Sequence, residues 1–126
     1  MTRPAQARSA YTVDLGGKSP RRATQAATGR VPRVARTLAL AHKIDAKIRA
    51  GELRDLADAA RAIGVTRARM TQIANLLLLA PEIQEAILDL PPVTSGRDPI
   101  SERALRRIVA EPDWTRQRLL WGEVKR

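Results

Sequence analysis

From Pro32 onward the apolar residues recur at steps of three and four, in short blocks that a glycine or proline closes. That period is one face of an α-helix; a half-buried strand would alternate at every second residue. Val34, Leu38, Ala41, Ile44 and Ile48 form the first stripe, and Gly51 supplies a left-handed stop. Leu56, Ala59, Ala60 and Ile63 form a shorter one, with Asp55 and Asp58 near its positive end and Gly64 closing it. Thr66 has the side chain of an N-cap for a third helix, which carries Met70, Ile73 and Leu77 inward. Pro81 and Glu82 open a fourth with the stripe Ile83, Ile87 and Leu90. Pro91, Pro92, Ser95, Gly96 and Pro99 make 91–99 a loop. Ser101 caps the next helix, Ile100 and Leu105 have staple spacing, and Leu105, Ile108 and Val109 point inward. A last helix runs from about Asp113 to Trp121. No segment reads as a strand, so the predicted fold class is all-α.

Composition narrows what such helices can do. The 126 residues suit one small domain plus a tail. With no Phe and 2% aromatic residues the core is aliphatic, which argues against aromatic platforms for single-stranded nucleic acid. Zero cysteines exclude disulfides, thiolate zinc sites and thiol catalysis. The longest apolar run, Leu76 to Ala80, is far short of the ~20 residues of a membrane span. No apolar secretory segment opens the chain, so the expected location is cytoplasmic and nucleoid-associated. The acid-poor N-terminus also has the composition of a mitochondrial transit peptide.

The formal charge of +10 is uneven: residues 1–36 hold eight basic side chains against one acid. Proline and glycine interrupt this segment, and no periodic apolar face runs through it. It cannot bury enough surface to offset its ordering entropy, so 1–33 is predicted to be a disordered basic arm. Arg21, Arg22, Arg30 and Arg33 are its candidates for holding phosphates, where each neutralised charge releases counterions. A solubilising tail is the competing reading. Gly16-Gly17-Lys18-Ser19 is not a P-loop, because Thr12 stands where the first glycine belongs and Pro20 forbids the helix.

Leu56 to Leu76 has the logic of a helix-turn-helix. Ala60 is small where two helices would cross, and Gly64 permits the positive φ of a tight turn. The outward positions are Thr66, Arg67, Ala68, Arg69, Thr71, Gln72 and Asn75. We assign Thr66, Arg67, Ala68, Thr71, Gln72 and Asn75 to base edges, and Arg61 and Arg69 to phosphates. No acidic residue occurs from 59 to 81, a gap that suits an anionic groove. An ordinary αα-hairpin with a solvated basic face is the alternative.

Ala-Ile-Gly-Val-Thr-Arg-Ala-Arg-Met-Thr-Gln-Ile at 62–73 and Leu-Leu-Leu-Leu-Ala-Pro-Glu-Ile-Gln-Glu-Ala-Ile at 76–87 resemble the helix-turn-helix domain of ParB/KorB-type proteins. There a glycine, a small apolar residue, Ser/Thr and Arg open the recognition helix; Gly64, Val65, Thr66 and Arg67 match them. A leucine-rich end and a Pro-Glu-led helix follow, as at Leu76–Leu79 and Pro81-Glu82. The resemblance covers roughly residues 34–121 and implies operator-type binding of double-stranded DNA through the helix 66–75. It implies the DNA-reading module alone, since the 1–33 segment has no likeness to the family's nucleotide-binding domain and no dimerisation domain is expected after Arg126. Partition-type clamp loading and CTP hydrolysis are therefore not carried over. The expected architecture is the basic arm 1–33 followed by an all-helical helix-turn-helix domain over 34–126.

The remaining chemistry-bearing residues read as structural. His42 is the sole histidine and has no carboxylate cluster, so no metal site is assigned. Glu82 and Glu85 complement a helix dipole rather than form an acid–base pair. Trp114 and Trp121 share a helix face and suit a core seam or a dimer contact. Arg103, Arg106 and Arg107 form a second cationic cluster, either a phosphate contact or a solvated face. No catalytic constellation or cofactor motif is present, and an enzyme is not expected. The functional expectation is a sequence-specific DNA-binding protein acting as a small transcriptional regulator. A homodimer would be its working form, because one module makes few base contacts. An accessory or architectural factor for recombination or partition of a mobile element, and a basic RNA-binding protein, are the alternatives.

Overall fold

The structure, a computed structural model, describes residues 29–125. Among the described residues there are six α-helices: α1 Arg33–Arg49, α2 Leu56–Ile63, α3 Arg67–Asn75, α4 Pro81–Leu88, α5 Glu102–Val109 and α6 Trp114–Val124. A single 3-10 turn, Leu76–Leu78, links α3 to α4. The described residues form no strand, only one isolated antiparallel bridge between Arg30 and Val93. The chain is all-α, and no helix among the described residues is long and apolar enough to cross a membrane.

Caps set the helix limits. Thr66 Oγ1 accepts the Arg69 amide at 3.0 Å, and Ser101 Oγ accepts that of Ala104 at 3.1 Å. Asp55 and Asp113 do the same for α2 and α6. Pro81 occupies the first turn of α4, where its missing N–H costs nothing. The last helix runs three residues beyond its expected end, through Gly122 to Val124.

α1, about 25 Å long at 1.5 Å per residue, is the spine on which two cores are built. Its N-terminal half contributes Val34, Ala35 and Leu38 to the larger core, with Leu76, Leu79, Ile83, Ile87, Leu105, Ile108 and Trp121. Ile44, one turn past Ala41, enters the smaller core, where it meets Ala59, Ala60 and Met70. The α2–α3 unit thus sits on one half of α1, and α4, α5 and α6 gather round the other.

Two expectations of burial fail, each for a local reason. Ile63 is 40% exposed because α2 ends there and the chain turns away at Gly64. Leu77 does pack against the larger core but stays half-buried, since the 3-10 turn puts Leu76 and Leu79 at its fully buried positions. Trp121 is buried but Trp114, the first residue of α6, is 46% exposed, so the pair makes no continuous seam.

Residues 29–33, assigned to the arm by composition, belong to the folded body. Arg30 and Val93 exchange backbone hydrogen bonds of 2.9 and 2.7 Å, Pro32 is fully buried, and Arg33 begins α1. Arg21 and Arg22 lie outside the described residues.

Two glutamines lock the Leu76–Ala80 link. Gln117, 1% exposed, accepts the Ala80 amide at 2.7 Å and donates to the carbonyls of Glu111 at 2.8 Å and Leu78 at 3.3 Å. Gln84 donates to the carbonyls of Leu77 and Leu79 at 3.2 and 2.9 Å, and its Oε1 lies 2.7 Å from His42 Nε2. A link without regular backbone pairing is thereby satisfied from both sides, which fixes how α3 leaves the core.

Candidate nucleic-acid interface

The α2–α3 unit turns on three residues, 64–66. Gly64 takes φ +77°, and its N–H and that of Val65 both donate to the Ala60 carbonyl, at 2.9 and 3.0 Å. A Cβ at Gly64 would meet nothing within 4 Å, so glycine is required by the backbone and not by crowding. Ala59 and Ala60 are buried against α3, and Met70 fills the space between them and Ile44. Burial of Met70 and Ile73 on the inner face leaves the opposite face of α3 to solvent.

All six residues assigned to base reading are exposed: Thr66, Arg67, Ala68, Thr71, Gln72 and Asn75. Their polar atoms are not equally available. The Thr66 oxygen is occupied as the cap, leaving its O–H to donate outward. Thr71 Oγ1 donates to the Arg67 carbonyl at 3.0 Å, so its hydroxyl proton is already used. Gln72 Oε1 accepts from Arg69 at 3.2 Å, which orients its amide NH2 outward as a pair of donors. The Arg67 guanidinium and the Asn75 amide have no partner among the described residues. Arg61 is exposed and reaches Asp58 at 3.3 Å; that carboxyl titrates below its ordinary range, chiefly because the Arg54 amide donates to it.

Arg69 departs most from expectation. Its guanidinium forms a two-pronged pair with Glu102 of α5, through Nη1 to Oε2 and through Nη2 to Oε1 at 3.0 Å. Glu102 also takes Arg106 at 3.3 Å. The Arg69 hydrogen bond is the main reason the Glu102 carboxyl lies below its ordinary range; the same bond raises the Arg69 guanidinium. Arg69 thus ties α3 to α5, and its charge is already half-committed.

The start of α1, the 91–99 loop and α5 form an open groove of about 570 Å³ beside Arg69. Arg30, Arg33, Arg69, Arg97, Arg103 and Arg106 line it, with Asp98 and Glu102 as the only carboxylates in its wall among the described residues. Asp98 accepts the Arg33 amide at 2.6 Å and pairs with Arg30 at 2.5 Å; the Arg30 bond above all lowers its pKa. Arg107 instead borders a smaller pocket against α6, which divides the Arg103, Arg106 and Arg107 cluster between two surfaces. Sequence reasoning missed Arg97 and both carboxylates of the groove, because their partners come from distant parts of the chain. Among the described residues no three histidines or carboxylates converge as metal ligands would.

No protein-family model matches the chain, and neither a curated protein nor a solved structure matches it.

Proposed function

We propose that the chain is a sequence-specific double-stranded DNA-binding protein, a small transcriptional regulator of the nucleoid, in which α2–α3 is a helix-turn-helix. The ParB/KorB-like resemblance of 62–87 belongs to the same proposal. The observation that carries it is the solvent face of α3. A nine-residue helix holds Arg67, Gln72 and Asn75 clear of the body behind a glycine turn, with no carboxylate of its own. Arg and Gln or Asn are the side chains that reach guanine and adenine edges in a major groove. Arg61 stands at the phosphate beside the recognition helix. Arg69 serves the interface indirectly, by orienting Gln72 and holding α3 against α5.

Selection from a randomised duplex pool tests the reading, followed by competition with structured RNA. One recurring site, bound in preference to RNA, is expected. Recovery of no motif, or better binding to RNA, refutes it.

A further inference from the structure

We propose that the arginine groove between the start of α1, the 91–99 loop and α5 grips the phosphodiester backbone of the same duplex, beyond the bases that α3 reads. This rests on the reading of α3 as the base-reading helix and adds a second, sequence-blind contact to it.

Charge selects the occupant. Six guanidiniums face two carboxylates, and both carboxylates are spoken for: Asp98 by Arg30 and the Arg33 amide, Glu102 by Arg69 and Arg106. Each carboxylate holds arginines in place without cancelling the excess. Arg97 and Arg103 line the groove with no partner among the described residues, so two cations remain available where the others are already oriented. An open, cationic and largely hydrophilic trough suits a polyanion, whose charges repeat along its length.

Position selects the duplex. Arg69 lines the groove and also belongs to α3, so the trough begins where the base-reading face ends. The chain enters the trough at Arg30, and the 1–28 segment before it carries five basic residues and one acid. Its net positive charge makes that segment a poor occupant of a groove that is itself cationic. A second copy would bring the same positive surface and is disfavoured likewise.

The test uses the full chain, a mixed-sequence DNA duplex several turns long, and a salt series. The double variant Arg97→Gln/Arg103→Gln should flatten the slope of log K against log salt by about 1.8, at about 0.9 per lost phosphate contact. Its thermal midpoint should be unchanged, since neither guanidinium has a partner among the described residues. Arg107→Gln, on the α6 side, should leave the slope as it was. An unchanged slope in the double variant overturns the proposal, and so does an equal flattening by Arg107→Gln, which would mean diffuse attraction. A greater loss on an RNA duplex than on DNA also overturns it. If the groove variant is idle while Arg67→Ala still weakens binding, the groove fails and the reading of α3 stands. If the groove variant flattens the slope while Arg67→Ala and Gln72→Ala alter no sequence preference, the groove's phosphate contact stands and the reading of α3 falls.

Discussion

Replacing Gln117 with Met keeps nearly the same length and volume but deletes every polar bond of the one buried polar side chain among the described residues. The cavity contribution is therefore small, and the loss is read from the groups left behind. The Leu78 carbonyl keeps the Trp114 Nε1–H at 3.3 Å, so it is not orphaned. The Ala80 amide, fully buried, loses its acceptor, and the Glu111 carbonyl, only half-buried, loses its donor. An unsatisfied buried group costs about 1–3 kcal/mol, with the lower end applying where water can enter. The sum is about 2–4 kcal/mol. For a folded body of this size, about 4–8 °C per kcal/mol gives a fall in Tm of roughly 10–30 °C. Urea unfolding followed by two probes, with the slope compared to wild type, would measure it. Gln117→Glu, which retains an acceptor for Ala80, should lose less than Met at acid pH, where the carboxyl also regains a donor. A Met variant within about 0.5 kcal/mol of wild type would show that the amide is not holding the link.

Gly64→Ala should cost about 1–2 kcal/mol, because φ +77° is left-handed and the surroundings are open; Gly64→Asn should recover most of it, as Asn tolerates that region. Thermal melts that rank Ala equal to Gly would contradict this. The Glu102 carboxyl is held below its unfolded value of about 4.3, so its contribution is in place at neutral pH and is lost as pH falls through the folded value. The stability gap between wild type and Glu102→Gln should therefore close on acidification from about pH 5; a gap that widens reverses the sign. Removing residues 1–28, which leaves Arg30 and Arg33 in the folded body, should flatten the salt slope by about 0.9 per lost contact while the preferred site survives. An unchanged slope would make the arm a bystander.

The helices were legible because period and punctuation agreed. Thr66, Ser101, Gly64 and Pro81 each terminate or start an element by local chemistry, which a sequence states directly. The exposed face of α3 was legible for the same reason, since burying Met70 and Ile73 determines the other side. What escaped depends on long-range neighbours. Gln117 is indistinguishable in sequence from the exposed Gln72; only the uncapped link at Ala80 makes it a core residue. Arg69 reads as a free outward cation until Glu102, 33 positions later, folds beside it. Residues 29–33 lack any apolar period, yet one backbone bridge to Val93 and the burial of Pro32 fix them to the body. The full burial of Leu76 and Leu79 beside the half-buried Leu77 also escaped, because a 3-10 turn advances the phase by a step that helical counting cannot foresee.

The most direct measurement concerns base reading by α3. On the site recovered from a randomised duplex pool, the affinities of Arg67→Ala and Gln72→Ala should be compared with those on random duplex at fixed salt. Each substitution is expected to lose about 1–3 kcal/mol on the selected site and almost nothing on random DNA, as base-edge contacts require. Equal losses on both duplexes would make these side chains phosphate contacts and contradict a recognition helix at 67–75.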